Sequence, residues 1–280
     1  MSSDLLTQKK IEKADVVLSY YIGGNTEAQE CLFFLNGLYH DTDAWVKQIR
    51  FPFFKRNFKF VFFDYRGLGG SIVKNYGRNG FKDIAQDIYD VLEKERVLTS
   101  TFVAYSVGGV AALYFSSLFG DHLKCLVLLN SGTTVSAHLR RSVAAFLELL
   151  EKGYDFYELI PFLYPLNHSH YYLEKMVESD TDIRRKYADY NHDLESLKLL
   201  LKPFRNPDHL NEAITSVSAP TLFITAEKDM VFPPFLQREL IAKIEKCTFH
   251  VIPECGHASF IEEYTKVNFC MQNFLQETLL

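Results

Sequence analysis

The stretch Thr101-Phe-Val-Ala-Tyr-Ser106-Val-Gly-Gly-Val-Ala-Ala-Leu-Tyr114 decides the fold. Residues 101–105 are β-branched and aromatic and predict a strand; the apolar run from Val107 predicts a helix, with Ser106 on the hinge. So tight a reversal crowds the backbone around the serine, and Ala104, Gly108 and Gly109 are the small residues that relieve the crowding. The string A-Y-S-V-G differs by one residue from the nucleophile elbow G-x-S-x-G, in which the serine hydroxyl stands at a sharp tip and the next N–H points into the same space. Taken alone it fits equally well a buried strand followed by a helix that serine happens to cap. A base and an acid elsewhere in the chain must decide.

Working outward, Val16–Ile22 reads as a strand ending at Gly23-Gly24-Asn25, a hairpin-type turn signal. Cys31–Leu35 is a continuous apolar run, as a strand buried on both faces requires. A short helix is expected around 44–49 and the next strand at Phe58–Phe63, followed by Asp64-Tyr-Arg-Gly-Leu-Gly-Gly-Ser71. Apolar residues at Phe81, Ile84, Ile88 and Leu92 keep helical spacing, and Cys125–Leu129 is another strand. Strand and helix in alternation argue a parallel sheet with crossover helices. The rhythm breaks after Gly132: from 133 to 217 only helical stretches are evident, such as 142–151 and 194–202, in a segment rich in Tyr, Phe and Leu. It resumes with strands at 221–225 and 248–252 and helices at 234–244 and 264–275.

The 280 residues are 48% hydrophobic and 23% charged, which suits one globular α/β domain with an insertion. A net charge of −5 without a dominant basic run excludes nucleic acid as a partner. No stretch reaches the roughly 18 apolar residues of a membrane span, and the first ten residues lack a signal-peptide core, so a cytoplasmic location is expected. The five cysteines contain no C-x-x-C pair and read as reduced thiols, three of them in apolar surroundings. No metal or other cofactor is expected: His168 and His170 have no third ligand nearby in the sequence.

In open parallel sheets functional groups gather at the carboxyl ends of strands. Those ends carry Asn36-Gly37-Leu38-Tyr39, Asp64, Ser106, Asn130-Ser131, Asp229 and His257. A serine becomes a useful nucleophile when a histidine takes its proton and a carboxylate orients that histidine. The order Ser106, Asp229, His257 supplies all three, whereas the strand end at Asn130-Ser131 offers no carboxylate.

On these residues the chain resembles the α/β-hydrolases from about Val16 to Leu275. Asn36-Gly37 stands where that family has His-Gly, Asp64–Ser71 resembles D-x-R-G-x-G-x-S, Ala104–Gly108 the elbow, Pro220–Pro233 the acid strand, and Gly256-His257 carries the histidine. The resemblance implies a mostly parallel eight-stranded sheet flanked by helices, with a core of 1–132 and 218–280 and a helical cap of 133–217 inserted after strand 6. It implies Ser106, Asp229 and His257 as catalytic residues and an oxyanion hole from the N–H groups of Leu38 and Val107. Alanine at 104 adds a methyl beside the elbow. Asparagine at 36 replaces the histidine that orders the oxyanion loop, and its side chain is expected to bond the backbone there.

Asp64 and Arg66 read as a loop-bracing pair, and His40, near the oxyanion loop, reads as a solvated loop histidine, with a place lining the mouth as the alternative. Tyr39, Tyr105, Phe146 and Val231 are the candidates for lining a substrate, while most of the cap aromatics and leucines are expected to pack the cap itself. A serine nucleophile disfavours epoxide hydrolysis and dehalogenation, which in this fold use a carboxylate. The expected reaction is cleavage of an ester or thioester of a small to medium acyl chain. Two alternatives stay open: acyl transfer or acyl-carrier-protein thioester cleavage, for which Arg140-Arg141 and Arg184-Arg185-Lys186 would grip the carrier, and a hydrolase-fold signalling receptor.

Overall fold

The computed structural model describes residues 6–38, 40–77, 80–176, 180–187, 193–207, 210 and 217–279. Its strands are β1 (Leu6–Glu12), β2 (Val16–Gly24), β3 (Cys31–Leu35), β4 (Lys59–Phe63), β5 (Ile72–Val73), β6 (Ser100–Tyr105), β7 (Leu123–Leu129), β8 (Thr221–Ala226) and β9 (Cys247–Ile252). They form one sheet in the order β1-β2-β4-β3-β6-β7-β8-β9, with the two-residue β5 paired to β2 off this path. From β4 to β9 every pairing is parallel, and β2 joins β1 and β4 antiparallel. Eight strands on the main path and a predominance of parallel pairs match the sheet anticipated for an α/β-hydrolase.

Two local expectations need correction. Gly24, at φ +70°, does end β2, but no hairpin follows. The chain leaves for β3, which pairs with β4 and β6. The hairpin lies on the other side of β2, where Lys13 N donates to Val16 O at 2.9 Å and joins it to β1. β1 itself (LTQKKIE) is largely solvated, so its sequence lacks the apolar run that marks the inner strands. The expected helix at 234–244 is broken into a 3-10 turn at Pro234–Leu236 and a short helix at Arg238–Ile241.

The inner strands are buried on both faces, which is why they read as unbroken apolar runs. Alternation along β6 divides its side chains between two cores. Phe102 and Ala104 face α3 (Phe81–Lys94) and α4 (Val107–Phe119). Val103 and Tyr105 face Trp45, Phe54 and the C-terminal helix Tyr264–Leu279, beside the short α1 (Val46–Ile49) and α2 (Pro52–Asn57).

Between β7 and β8 come α5 (Ala137–Glu151), α6 (Phe156–Leu163), α7 (His170–Lys175), α8 (Asp180–Tyr187) and α9 (Leu194–Arg205). The starts of α5, α6 and α9 are capped by side chains: Ser136 accepts from Leu139 N, Asp155 and Glu158 form a reciprocal capping box, and Asp193 accepts from Ser196 N. Val143, Phe146, Leu147 and Leu150 make the apolar stripe of α5, which joins Leu197, Leu200, Leu201 and Phe204 of α9 in the core. Pro161 and Pro203 sit inside α6 and α9.

Strand registration then brings the loops together. Leu35 pairs with Ala104 and Tyr105 with Leu129, so the segments opening at Asn36, Ser106 and Asn130 leave the sheet side by side. The chain moves outward from β3 to β4 and then returns to β6 on the far side of β3. That reversal is a topological switch point, the place in such sheets where a crevice opens.

Candidate active site

Ser106 takes φ +54° and ψ −122°, a conformation a β-substituted residue adopts only under constraint and at a cost of about 1–2 kcal/mol. Three hydrogen bonds hold it there. Ser106 N donates to Leu129 O at 3.0 Å, Gly109 N donates to Ser106 O at 2.9 Å, and Ser131 Oγ donates to the same carbonyl at 2.6 Å. The neighbouring glycines are obligatory for steric reasons. A Cβ on Gly108 would lie 2.4 Å from Leu35 O, and one on Gly109 would lie 2.1 Å from Ser131 Oγ. The small residues read from the sequence thus let the elbow press against β3 and β7.

His257 Nε2 lies 2.9 Å from Ser106 Oγ, and His257 Nδ1 lies 2.9 Å from Asp229 Oδ2 and 3.0 Å from Oδ1. An ionised carboxylate only accepts, so Nδ1 carries the proton and Nε2 is left as an acceptor for the serine hydroxyl. Asp229 is itself held: Oδ1 accepts from Val231 N and Phe232 N, each at 2.8 Å, and Oδ2 accepts from Asn130 Nδ2 at 3.1 Å. Asn130 Oδ1 in turn accepts from Ser259 Oγ. The sequence singled out Asn130 only for lacking a carboxylate; here its amide braces the acid that β8 supplies.

Ser106 and His257 open onto a cavity of about 110 Å3. Its wall includes Leu38, Tyr105 and Val107 from the sheet end, Phe146, Leu163 and Phe204 from the overlying helices, and Val231 beside the acid. Tyr105, Phe146 and Val231 therefore reach the cavity, whereas Tyr39 lies outside the described residues. Val107 opens α4, where first-turn N–H groups lack helical partners. Gly37 lets the loop before Leu38 lie against Tyr105, since a Cβ there would come 2.5 Å from its ring. Of the other aromatic and leucine side chains between 133 and 217, Leu147, Leu150, Phe156 and Tyr164 are buried away from the cavity wall, and Tyr157 and Phe162 are exposed.

Four polar residues behave differently from expectation. His40 is 6% exposed rather than solvated, and it lines the cavity with its ring edge-on to Tyr105. Burial, with His168 and His257 nearby, pushes its pKa down to about 3, so it is neutral. Asn36 bonds a side chain instead of the backbone, its Oδ1 accepting from the Trp45 indole at 2.7 Å. Its main-chain oxygen accepts from Tyr65 OH at 2.8 Å. Asp64 and Arg66 brace loops but not each other. Arg66 pairs with Asp87 and Asp15, while Asp64 accepts from Gly70 N and Tyr21 OH, with burial raising its pKa to about 6.

The histidines at 168 and 170 part company. His168 Nδ1 lies 3.1 Å from Glu262 Oε1 in a buried pair, and His170 is exposed. Among the described residues no group of three or more His, Cys, Asp or Glu side chains is arranged to hold a metal, and no helix is long and apolar enough to cross a membrane. Cys31, Cys125 and Cys255 are buried free thiols, each with its pKa raised by burial. Arg140 and Arg141 are exposed. Arg184 stacks 5.5 Å from the Tyr157 ring, Arg185 lies 3.7 Å from Asp182, and the Lys186 side chain lies outside the described residues.

Comparison with known proteins agrees with this fold. RutD of Variovorax paradoxus, a protein named for carbamate hydrolysis, is 23% identical over 261 residues, spanning 92% of this chain and 96% of its own. Two solved structures superimpose over nearly the whole length. An esterase from Thermogutta terrifontis has a TM-score of 0.81 at 18% identity, with 98% of this chain and 100% of that one covered. The enol-lactonase of Burkholderia xenovorans LB400 also scores 0.81, at 19% identity, with 96% and 100% covered. At such identities these likenesses speak for the fold. Residues 26–264 match the Hydrolase_4 family, described as serine aminopeptidase, S33; the chain belongs to that family and is a serine hydrolase of the α/β-hydrolase fold.

Proposed function

We propose that the protein hydrolyses a carboxylic ester or thioester of a small to medium acyl chain through an acyl-enzyme on Ser106. The observation that carries this reading is the 2.9 Å contact between Ser106 Oγ and His257 Nε2 at the floor of a largely apolar cavity. His257 takes the serine proton as Ser106 attacks the carbonyl, then returns it to the leaving group. Asp229 fixes the imidazole tautomer and stabilises the imidazolium. The N–H groups of Leu38 and Val107 receive the oxyanion, and water, activated by the same histidine, releases the acid.

In this reading residues 133–217 form a cap over a core of 1–132 and 218–280, and Tyr105, Phe146 and Val231 contact the acyl group. The cavity, at about 110 Å3, is somewhat smaller than the roughly 150 Å3 that encloses a benzene, which suits a short acyl chain. Esters, lactones and carbamates, for which these relatives are named, all present an acyl carbonyl, and that shared feature supports an acyl carbonyl as the target here. A panel of p-nitrophenyl esters of increasing chain length tests it. Steady turnover is expected for the wild type, with kcat lower by about a million-fold in Ser106→Ala. Turnover that requires an added alcohol or acyl carrier protein would move the reading to acyl transfer, and stoichiometric labelling without turnover would move it to a receptor.

A further inference from the structure

The side chain of Glu262 is almost fully buried, 3% exposed, yet it makes no contact with Ser106, Asp229 or His257 among the hydrogen bonds of the site. Its two oxygens collect four donors. Oε1 faces His168 Nδ1 at 3.1 Å and accepts from Ser169 N at 2.9 Å; Oε2 accepts from Ser169 Oγ at 2.7 Å and from Gly256 N at 3.1 Å. Burial alone would raise its pKa, but the bonds from His168, Ser169 and Gly256 outweigh burial and hold it below the ordinary glutamate value.

These donors come from two places that the chain order keeps far apart. Ser169 and His168 belong to the segment joining α6 to α7, whereas Gly256 immediately precedes His257. A second bond ties the same segments on the other side of the histidine, with Ala258 N donating to Asn167 O at 2.8 Å. The approach is so close that a Cβ on Gly256 would lie 2.4 Å from Ser169 N and 2.6 Å from the His168 carbonyl carbon. His168 is held in place by Tyr164 and Tyr172, with ring centroids 4.5 and 4.6 Å away. Leu166 and Asn167 on the same segment, and Leu163 at the end of α6, line the cavity.

We propose that Glu262 is a positioning residue that ties the loop carrying His257 to the cap segment 167–169, so that one carboxylate sets both the base and a wall of the acyl cavity. The proposal rests on the reading of His257 as the base. Glu262→Gln keeps the volume but replaces one acceptor oxygen with an NH2 group facing donors, so the seam cannot close as before. Loss of register moves His257 relative to Ser106 and loosens the wall touched by longer acyl chains. Glu262→Asp keeps the charge at a shorter reach and is expected to recover part of the loss.

The test compares wild type, Glu262→Gln, Glu262→Asp and Ser169→Ala in two assays, with thermal melting as the check on folding. The first is kcat and KM for acetyl and hexanoyl p-nitrophenyl esters; the second is the rate at which a fluorophosphonate labels Ser106. For Glu262→Gln we expect kcat and labelling to fall by roughly 10- to 100-fold, part of the roughly 100- to 10,000-fold a positioned base supplies. KM is expected to rise for the hexanoyl ester only, and Ser169→Ala to show a smaller loss in the same direction. A folded Glu262→Gln whose labelling and turnover stay within twofold of wild type would overturn the proposal, and so would an unfolded one accompanied by an unaltered Ser169→Ala. If the wild type cleaves neither ester while Glu262→Gln still labels at least tenfold slower, the ester reading falls and the positioning role stands.

Discussion

The sheet edge around Ser106 and the helices α5 to α9 above it are built by different means. At the sheet edge, position is set by main-chain geometry: a serine at φ +54°, glycines with no room for a methyl, and an Asp229 carboxylate held by Val231 N, Phe232 N and Asn130. In the helices, position is set by side-chain packing, with Phe146, Leu147 and Leu150 of α5 against Leu197, Leu201 and Phe204 of α9. The first kind of construction tolerates little change and, in the proposed reading, carries the chemistry. The second accepts exchanges of volume and shapes what the chemistry reaches.

Three substitutions sharpen or break that contrast. Asp229→Asn is expected to cost the most, about ten-thousandfold in kcat, because an amide in contact with His257 favours the wrong tautomer. Ester kinetics check it, and a loss below tenfold would place the orienting carboxylate elsewhere. Gly108→Ala forces the start of α4 away from Leu35 O and Asn36 O, and with it the Val107 N–H. Loss of one oxyanion donor corresponds to roughly 100- to 1,000-fold in kcat, measurable with little change in KM. Phe146→Ala is expected to leave kcat on an acetyl ester within about tenfold while raising relative activity on longer acyl chains, since one methylene in an apolar pocket is worth roughly 10- to 200-fold. Because Phe146 is 7% exposed, that variant also melts lower, by about 3–5 kcal/mol of lost stability. A large, chain-length-independent loss of kcat would remove the contrast between the two regions.

The sheet and the triad positions were legible because their signals are local. Largely apolar runs mark β3, β6, β7 and β8; Ser106 directly follows β6, and Asp229 and His257 stand three and five residues beyond β8 and β9. Partnerships across the fold were not legible. Nothing near His40 marks it as buried; its burial comes from Tyr105 and Phe260, distant in sequence. Asn36 meets Trp45 only because the loop folds back, and Arg66 passes over the adjacent Asp64 for Asp87 on α3. Glu262 carried no signal, since a glutamate five residues after the histidine reads as an exposed helix position. The seam from Gly256 to Ser169 exists only in three dimensions.

Direct observation of the acyl-enzyme is the decisive measurement. Wild-type protein mixed with a slowly hydrolysed acyl ester, quenched in acid and digested, is predicted to carry one acyl group on the peptide containing Ser106, formed before steady release of the acid and absent from Ser106→Ala. Steady release of acid with Ser106 unmodified at every quench time, or turnover retained in Ser106→Ala, would contradict the account.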